Sequence, residues 1–165
     1  MDLNYDAFLD KIFENLDKYK IDVSGYECDH IGVRSASLND YKNIKQELAN
    51  VGVMIGEPEV VGRLIAVFKL NRPIKYKNFT IPALELLAPK ESDNYQNGPE
   101  HLEFVITELF DEFLKKYPDI EFETYRLERK NNPEIKLYFP DKTSVKFHKI
   151  DIIQGFEIQK RTGEL

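Results

Sequence analysis

Two stretches of the chain begin alike: residues 29–48 read DHIGVRSASLNDYKNIKQEL and residues 100–117 read EHLEFVITELFDEFLKKY. Each opens with an acid and a histidine, continues through a short apolar segment, and then changes to the spacing of an amphipathic helix. The chain has three histidines, and two of them hold the same place in these stretches. The pattern predicts a duplicated unit that brings the two histidines to equivalent positions.

The order of predicted elements around each stretch is a strand, a helix and three further strands. The first copy has a strand at 28–34, a helix at 39–50 and strands at 52–60, 63–70 and 80–87. The second has a strand at 101–106, a helix at 107–117 and strands near 120–127, 134–139 and 143–149. Residues 5–19 have the spacing of an amphipathic helix, and the turn-forming residues of APKESDNYQNGPE (88–100) predict a linker.

We therefore predict an α+β fold with two βαβββ modules, which form a curved mixed β-sheet around a cleft, plus an N-terminal helix. Residues 1–165 make a single domain. Its expected parts are an N-terminal helical segment (1–26), a first module (27–87), a linker (88–99), a second module (100–150) and a C-terminal tail (151–165).

Composition narrows the class of protein. The chain is long enough for one core, with 42% hydrophobic residues, and its 23 basic and 29 acidic side chains are interspersed, with a formal net charge of -6. A concentrated basic face, typical of nucleic-acid binding, is missing from the sequence. No stretch approaches the roughly 20 apolar residues of a membrane span, and the lone Cys28 suits a reducing compartment. We expect a cytoplasmic protein that binds neither nucleic acid nor membrane.

Side chains alternate across a β-strand, so neighbouring residues point to opposite faces. In the first strand, His30 and Arg34 share the face opposite Ile31 and Val33. The same alternation places further polar groups opposite apolar ones: Glu85, His101, Glu103, Lys146 and His148. If the modules curl around a shared cleft, the groups that converge there are His30, Glu85, His101 and either His148 or Lys146.

Two imidazoles and a carboxylate are a usual ligand set for Zn, Fe, Mn or Ni, with positions left for water or substrate. We therefore predict a divalent metal as the cofactor. Asp29 and Glu100 precede the histidines and fall on the opposite face, so we do not expect them to orient the imidazoles. Glu103 is expected to move a proton, and Arg34 to contact substrate.

Several alternatives stay open at this point. Instead of binding a metal, each histidine could be solvated or hydrogen-bonded. Glu85 could instead form a structural ion pair with Arg34 or Lys146. The protein as a whole is alternatively a non-catalytic small-anion-binding protein, or a dimerising or partner-binding module that uses the helix at 5–19. A homodimer is among the expected partners, beside a small-molecule ligand.

Six ordered segments carry a resemblance to a known family: DHIGVR, VVGRLIAVFKL, LELLAPK, GPEHLEFVI, NNPEIKLYF and DKTSVKFH. Together they resemble the YecM family of the vicinal oxygen chelate superfamily, which includes glyoxalases, extradiol dioxygenases and epimerases. The resemblance covers most of residues 25–150. It implies a metal held by residues that open the first strand and close the last strand of each copy, namely His30, Glu85 and His101.

At the fourth position this chain departs from the family pattern, because Lys146 stands where a glutamate usually ligates. An ammonium has no lone pair for a metal. His148, two residues further on and facing the same way, is the candidate substitute. Otherwise the site has three protein ligands, or it has lost its metal and Lys146 neutralises Glu85.

Cations in the segments that resemble the family predict an anionic, oxygen-bearing small ligand. They are Arg34, Arg63, Lys69 and Lys146, and solvated strand ends are the alternative for Arg63 and Lys69. The resemblance leaves open whether the protein is an enzyme. As an enzyme it would have a metal-dependent isomerase, lyase or dioxygenase-like activity, since one fold supports many reactions.

Overall fold

The structure is a computed structural model that describes residues 5–90, 96–129 and 132–162. Within these residues the chain forms four α-helices and eight strands. In chain order they are α1 (Tyr5–Lys18), β1 (Glu27–Arg34), α2 (Leu38–Leu48), β2 (Gly52–Gly56), β3 (Glu59–Val60), β4 (Arg63–Tyr76), β5 (Phe79–Leu87), β6 (Gly98–Val105), α3 (Phe110–Lys116), β7 (Glu134–Tyr138), β8 (Ser144–His148) and α4 (Ile152–Thr162), with a short 3-10 helix at Tyr125–Glu128.

The strands form one mixed sheet in the order β2-β4-β5-β1-β6-β8-β7, with β3 pairing to β4 off this path. In each half, the first strand pairs in parallel with the last strand, β1 with β5 and β6 with β8. The two first strands then pair with each other in antiparallel fashion at the centre of the sheet. The predicted α+β class, with a curved mixed sheet and an N-terminal helix, is confirmed.

One predicted strand is wrong. The segment near 120–127 contributes an isolated bridge between Glu123 and Lys136, and then the chain turns into the 3-10 helix. The backbone of Thr124 already has helical dihedral angles, and its carbonyl accepts a hydrogen bond from the Leu127 N–H. None of the four residues in this turn is fully buried, although Leu127 packs against the main core.

The main hydrophobic core lies on one face of the sheet. The apolar stripe of α1, which includes Phe8, Ile12 and Leu16, is buried in this core. The chain itself therefore covers the helix face that was the alternative partner-binding surface. The alternation predicted from sequence holds at the centre, where the same core contains Ile31 and Val33. Other members of the core from the central strands are Leu84, Leu86, Leu102, Phe104, Val145 and Phe147.

The segment expected to be a tail forms α4, which lies on the other face of the sheet. Its Phe156 belongs to a small separate apolar cluster with Ile65, Val67 and Leu87. Gly56 lies directly beneath the ring, because an added Cβ would come within 2.1 Å of Phe156 Cε1. Val67 pairs with Glu85, so α4 covers part of the face that carries the predicted site. Among the described residues, no helix has the length and apolar content to span a membrane.

Candidate metal centre

Four buried or half-buried side chains from three adjacent strands converge on one point. His101 Nε2 lies 3.2 Å from both Glu85 Oε2 and Glu103 Oε1. His30 Nε2 lies 3.3 Å from Glu103 Oε1 and 3.9 Å from Glu85 Oε2. An ion held at about 2.1 Å by each of four ligands keeps neighbouring ligand atoms roughly 3.0 to 3.5 Å apart in octahedral or tetrahedral geometry. Three of these four separations fall in that range and the 3.9 Å separation is wider, so the group suits a single ion after a small movement of His30 or Glu85.

The register of the sheet explains why these side chains meet. Gly32 pairs with Glu85 on one side and with His101 on the other, while His30 pairs with Glu103. The ring of His101 lies over Gly32, where a Cβ would come within 2.0 Å of His101 Cε1. Glycine at position 32 therefore gives the imidazole the space that it occupies.

Two β-bulges place an acid beside each histidine. The pairing of β1 with β6 shifts between Cys28 and His30, which leaves Asp29 as an extra residue, and it shifts again so that Glu100 is extra on β6. A bulge interrupts the strict alternation of side chains. Asp29 Oδ2 consequently lies 2.7 Å from His30 Nδ1, and Glu100 Oε2 lies 3.7 Å from His101 Nδ1. The expectation that these acids face away from the imidazoles is wrong.

Asp29 fixes the tautomer of His30. A carboxylate only accepts hydrogen bonds, so the 2.7 Å contact requires that His30 Nδ1 carries a proton. Both oxygens of Asp29 also lie 3.1 Å from the backbone N–H of Ile152, at the start of α4. His30 therefore presents Nε2 to the centre, and metal-ligating histidines are commonly held by a carboxylate in this way.

His148 lies behind Glu103 and outside the group of four. Its Nδ1 is 3.6 Å from Glu103 Oε2 and its Nε2 is 3.1 Å from Asp29 Oδ2. Asn132 Nδ2 approaches the same Nδ1 at 3.3 Å. Asp29, Glu103 and His148 thus form a second buried group that shares Glu103 with the first.

Lys146 lies at the edge of the centre, on the strand next to Glu103. Its ammonium donates to Glu103 Oε1 and lies 3.2 Å from His101 Nε2. Burial alone would lower the pKa of Lys146, but the carboxylates of Glu103, Glu134 and Glu85 outweigh burial and raise it. The ammonium therefore remains charged beside the point where the four ligand atoms meet.

The other predicted substrate-binding residues lie apart from the group of four. Arg34 Nη2 donates to Glu100 Oε1 at 2.6 Å, so it reaches His101 only through Glu100. Arg63 lines a depression of about 410 Å³ with Glu59 and Pro89, and none of the four residues lines it. Lys69 is exposed on β4.

A network of charges surrounds the centre on this face, in two groups: Arg126, Glu123 and Glu134 pair among themselves, apart from the rest. Its six carboxylates are Asp29, Glu85, Glu100, Glu103, Glu123 and Glu134, and its four cationic side chains are Arg34, Arg126, Lys136 and Lys146. The group that contains the histidines has four carboxylates and three cations, which leaves one negative charge when the histidines are neutral. The sequence analysis assigned no role at this centre to Asp29, Arg126, Glu134 or Lys136. Alternation within EIKLY (134–138) places Glu134 and Lys136 on this face, by the same rule that identified Lys146.

The pKa values respond to this excess of negative charge. Burial alone lowers the pKa of His30, but the facing Glu103 and Asp29 raise it well above the usual value. Burial and Lys146 likewise lower the pKa of His101, and Glu100, Glu103 and Glu85 raise it overall. Protonation of the imidazoles and binding of a cation are two alternative ways to compensate the excess negative charge.

Three similarities to known proteins show the family of this chain. The family model described as YecM protein matches residues 1–157. An uncharacterized protein of Haemophilus influenzae is 31% identical over 139 residues, which are 74% of this chain and 72% of that protein. A protein solved under structural genomics as EC4020 has a TM-score of 0.78 and 25% identity, over 96% of this chain and 91% of that chain.

More distant solved structures share the fold alone. A Streptomyces coelicolor methylmalonyl-CoA epimerase in complex with 2-nitronate-propionyl-CoA has a TM-score of 0.53 and 14% identity, over 78% of this chain and 96% of that chain. That enzyme has the vicinal oxygen chelate fold, so the present chain carries that fold as well.

Proposed function

This chain belongs to the YecM family and carries the vicinal oxygen chelate fold, and from this premise we propose that it binds one divalent metal ion through His30, Glu85, His101 and Glu103. The metal serves to bind a small oxygen-bearing ligand. One observation carries the proposal: three separations between these donor atoms are 3.2 to 3.3 Å, the spacing expected around an ion, and a fourth is 3.9 Å.

Unpaired atoms at the centre support the fit of an ion. His30 Nε2 and Glu85 Oε2 are buried and have no hydrogen-bond partner among the described residues. A buried polar atom without a partner costs about 1 to 3 kcal/mol, and coordination would remove that cost.

Glu103 takes a different role in this proposal from the one expected from sequence. Its Oε1 is one of the four converging atoms, so we assign it as a ligand and not as the group that moves a proton. Glu103 and Lys146 are paired neighbours on β6 and β8. Glu103 therefore supplies a carboxylate beside the position where this chain has a lysine.

The chain's own residues define what the site can do. A bound divalent ion supplies Lewis-acid polarisation of a ligand oxygen. Asp29 keeps the Nε2 lone pair of His30 directed at the centre, and Lys146 is placed to donate a hydrogen bond to a ligand oxygen. A solved epimerase with the same fold is in complex with 2-nitronate-propionyl-CoA, which supports a small-molecule ligand and, among the expected activities, an isomerase.

Lys146 favours a second candidate function, a metal-free site for a small anion. Its ammonium occupies the edge of the centre and already pairs with Glu103. Protonated His30 and His101 would then supply the charge that an ion supplies in the first candidate. The two candidates differ in one measurable quantity, the metal content.

Elemental analysis of protein purified without an affinity tag tests the proposal. We expect near-stoichiometric metal, among Zn, Mn, Fe and Ni, in the wild type and in the control Lys69→Ala, which changes an exposed cation outside the centre. The double variant His30→Ala/His101→Ala should lose the metal and keep its circular dichroism spectrum. Metal-free wild type that also resists reconstitution with all four ions would favour the anion site.

A further inference from the structure

Lys136 belongs to a row of side chains that runs across the sheet from the metal centre. His30 pairs with Glu103, Glu103 with Lys146, and Lys146 with Lys136. All four are buried and lie on the same face. Neighbouring strands are about 4.8 Å apart, so the Cα atoms of Glu103 and Lys136 are roughly 10 Å apart.

Lys136 is a buried residue whose ammonium makes no hydrogen bond among the described residues. Its side chain is 5% exposed, and its nearest carboxylate oxygen is Glu100 Oε1 at 3.9 Å. That oxygen already accepts a hydrogen bond from Arg34. On its other side, the ammonium lies 4.0 Å from the centre of the Tyr138 ring.

The other three cations of the network each have a carboxylate in direct contact. Lys146 donates to Glu103, Arg34 to Glu100, and Arg126 to Glu134. Glu123, opposite Lys136 in the isolated bridge, lies 4.0 Å from Arg126. Burial and the neighbouring Lys146 accordingly lower the pKa of Lys136 to about 8. Lys136 is the cation of this network that lacks a close counter-charge.

A depression at the surface lies beside the Arg34–Glu100 pair, and Lys136 itself is not among the residues that line it. The depression has a volume of about 310 Å³, and Arg34 and Glu100 line it together with Asn97, Gly98 and Thr143. Glu100 Oε1 accepts a hydrogen bond from Arg34 and lies 3.9 Å from the Lys136 ammonium, so Glu100 is the link between this depression and Lys136. Burial of an uncompensated ammonium is costly, and a bound anion would offset that cost.

We propose that Lys136 binds a carboxylate at the far end of the ligand whose near end coordinates the metal. The inference rests on the proposed function, since it requires a metal at the centre. Four protein ligands leave two positions of an octahedron, and a 2-oxo or 2-hydroxy acid fills both with adjacent oxygens. A second carboxylate three or four carbons away then reaches Lys136. The ligand class is therefore a short dicarboxylic 2-oxo or 2-hydroxy acid.

Two probes isolate the distal carboxylate. 2-Oxoglutarate and 2-oxopentanoate have the same chelating head and chain length, and only the first has a carboxylate at its far end. Isothermal titration of the metal-loaded protein should give at least about 10-fold tighter binding of 2-oxoglutarate, the size of a charge-assisted hydrogen bond. Lys136→Met should abolish this preference and leave the affinity for 2-oxopentanoate unchanged. Lys69→Met is the matched control and should keep the preference.

Metal analysis of the same samples separates the two claims. If metal is bound but the wild type shows no preference, or Lys136→Met keeps it, the anion subsite is overturned and the metal site stands. If the wild type binds no metal, the proposed function fails and this inference fails with it. Lys136→Met removes a buried charge, so circular dichroism should show a folded protein.

Discussion

The substitution Gly32→Ala should disable the metal centre without changing a ligand. A Cβ at position 32 would lie 2.0 Å from Cε1, 2.2 Å from Nε2 and 2.5 Å from Nδ1 of His101. Non-bonded carbon atoms rest about 3.5 Å or more apart, so the imidazole must retreat by more than about 1 Å. Metal–ligand distances tolerate only about 0.2 Å, and His101 would therefore cease to be a ligand.

The expected loss in metal affinity is at least about 100-fold, since disturbing even a residue behind a ligand costs about 10- to 100-fold. The fold should survive, because Gly32 is not in the left-handed region of backbone conformation and alanine can adopt its dihedral angles. Crowding at the centre should lower the free energy of unfolding by about 1 to 3 kcal/mol.

Competition with a chromophoric chelator measures the affinity, and thermal melting of the same samples reports the stability. Gly25→Ala is the matched control, because a Cβ at position 25 meets nothing within 4 Å. We expect wild-type metal affinity in this control. A Gly32→Ala protein that binds metal as tightly as Gly25→Ala would refute the assignment of His101 as a ligand.

Three further predictions concern the neighbours of the centre. Lys146→Met removes an ammonium beside the ion, so divalent-metal affinity should rise about 10-fold or more in a competition titration; equal or weaker binding would contradict this. Because the facing carboxylates raise the pKa values of His30 and His101, both imidazoles lose protons on binding metal. The metal affinity should therefore fall as the pH drops through the raised pKa values of the two histidines. It should still increase with pH above about 6.5, the ordinary pKa of histidine. A metal affinity that does not change with pH would exclude His30 and His101 as ligands. Phe156→Ala should lower the free energy of unfolding by about 3 kcal/mol or less, and it should speed amide hydrogen exchange in α4 but not in α1. Equal acceleration in both helices would show that α4 does not unfold as a separate unit.

Strand alternation accounts for much of what the sequence could predict about the centre. The apolar residues Ile31 and Val33 face the core, and this fixes the face on which His30 must lie. The same reasoning brought Glu85 and His101 to one surface, where the structure has them. It applied equally to EIKLY, in which Ile135 and Leu137 are core residues, so Lys136 could have been found from the sequence.

The bulges could not be predicted by the same rule. Asp29 and Glu100 are each an extra residue between paired positions, and a period of two has no place for such a residue. Their contacts with His30 and His101 therefore depend on the pairing of β1 with β6, which is a tertiary feature.

The position of Lys146 relative to the ligands was also beyond the sequence. Alternation predicted the face on which Lys146 lies. A lysine side chain is long enough to reach several carboxylates, and its pairing with Glu103 depends on the folded arrangement of β6 and β8. The wrong prediction of a strand near 120–127 also has a tertiary cause. The neighbouring strand β7 pairs with this segment through a single bridge, at Glu123.

The most direct test of the metal site is an anomalous-difference map from a crystal of the metal-loaded protein, collected at the absorption edge of the bound element. We predict one peak about 2.0 to 2.3 Å from His30 Nε2, Glu85 Oε2, His101 Nε2 and Glu103 Oε1, with the Lys146 ammonium displaced from Glu103. A map without that peak at saturating metal, with Lys146 still bonded to Glu103, would contradict the assignment.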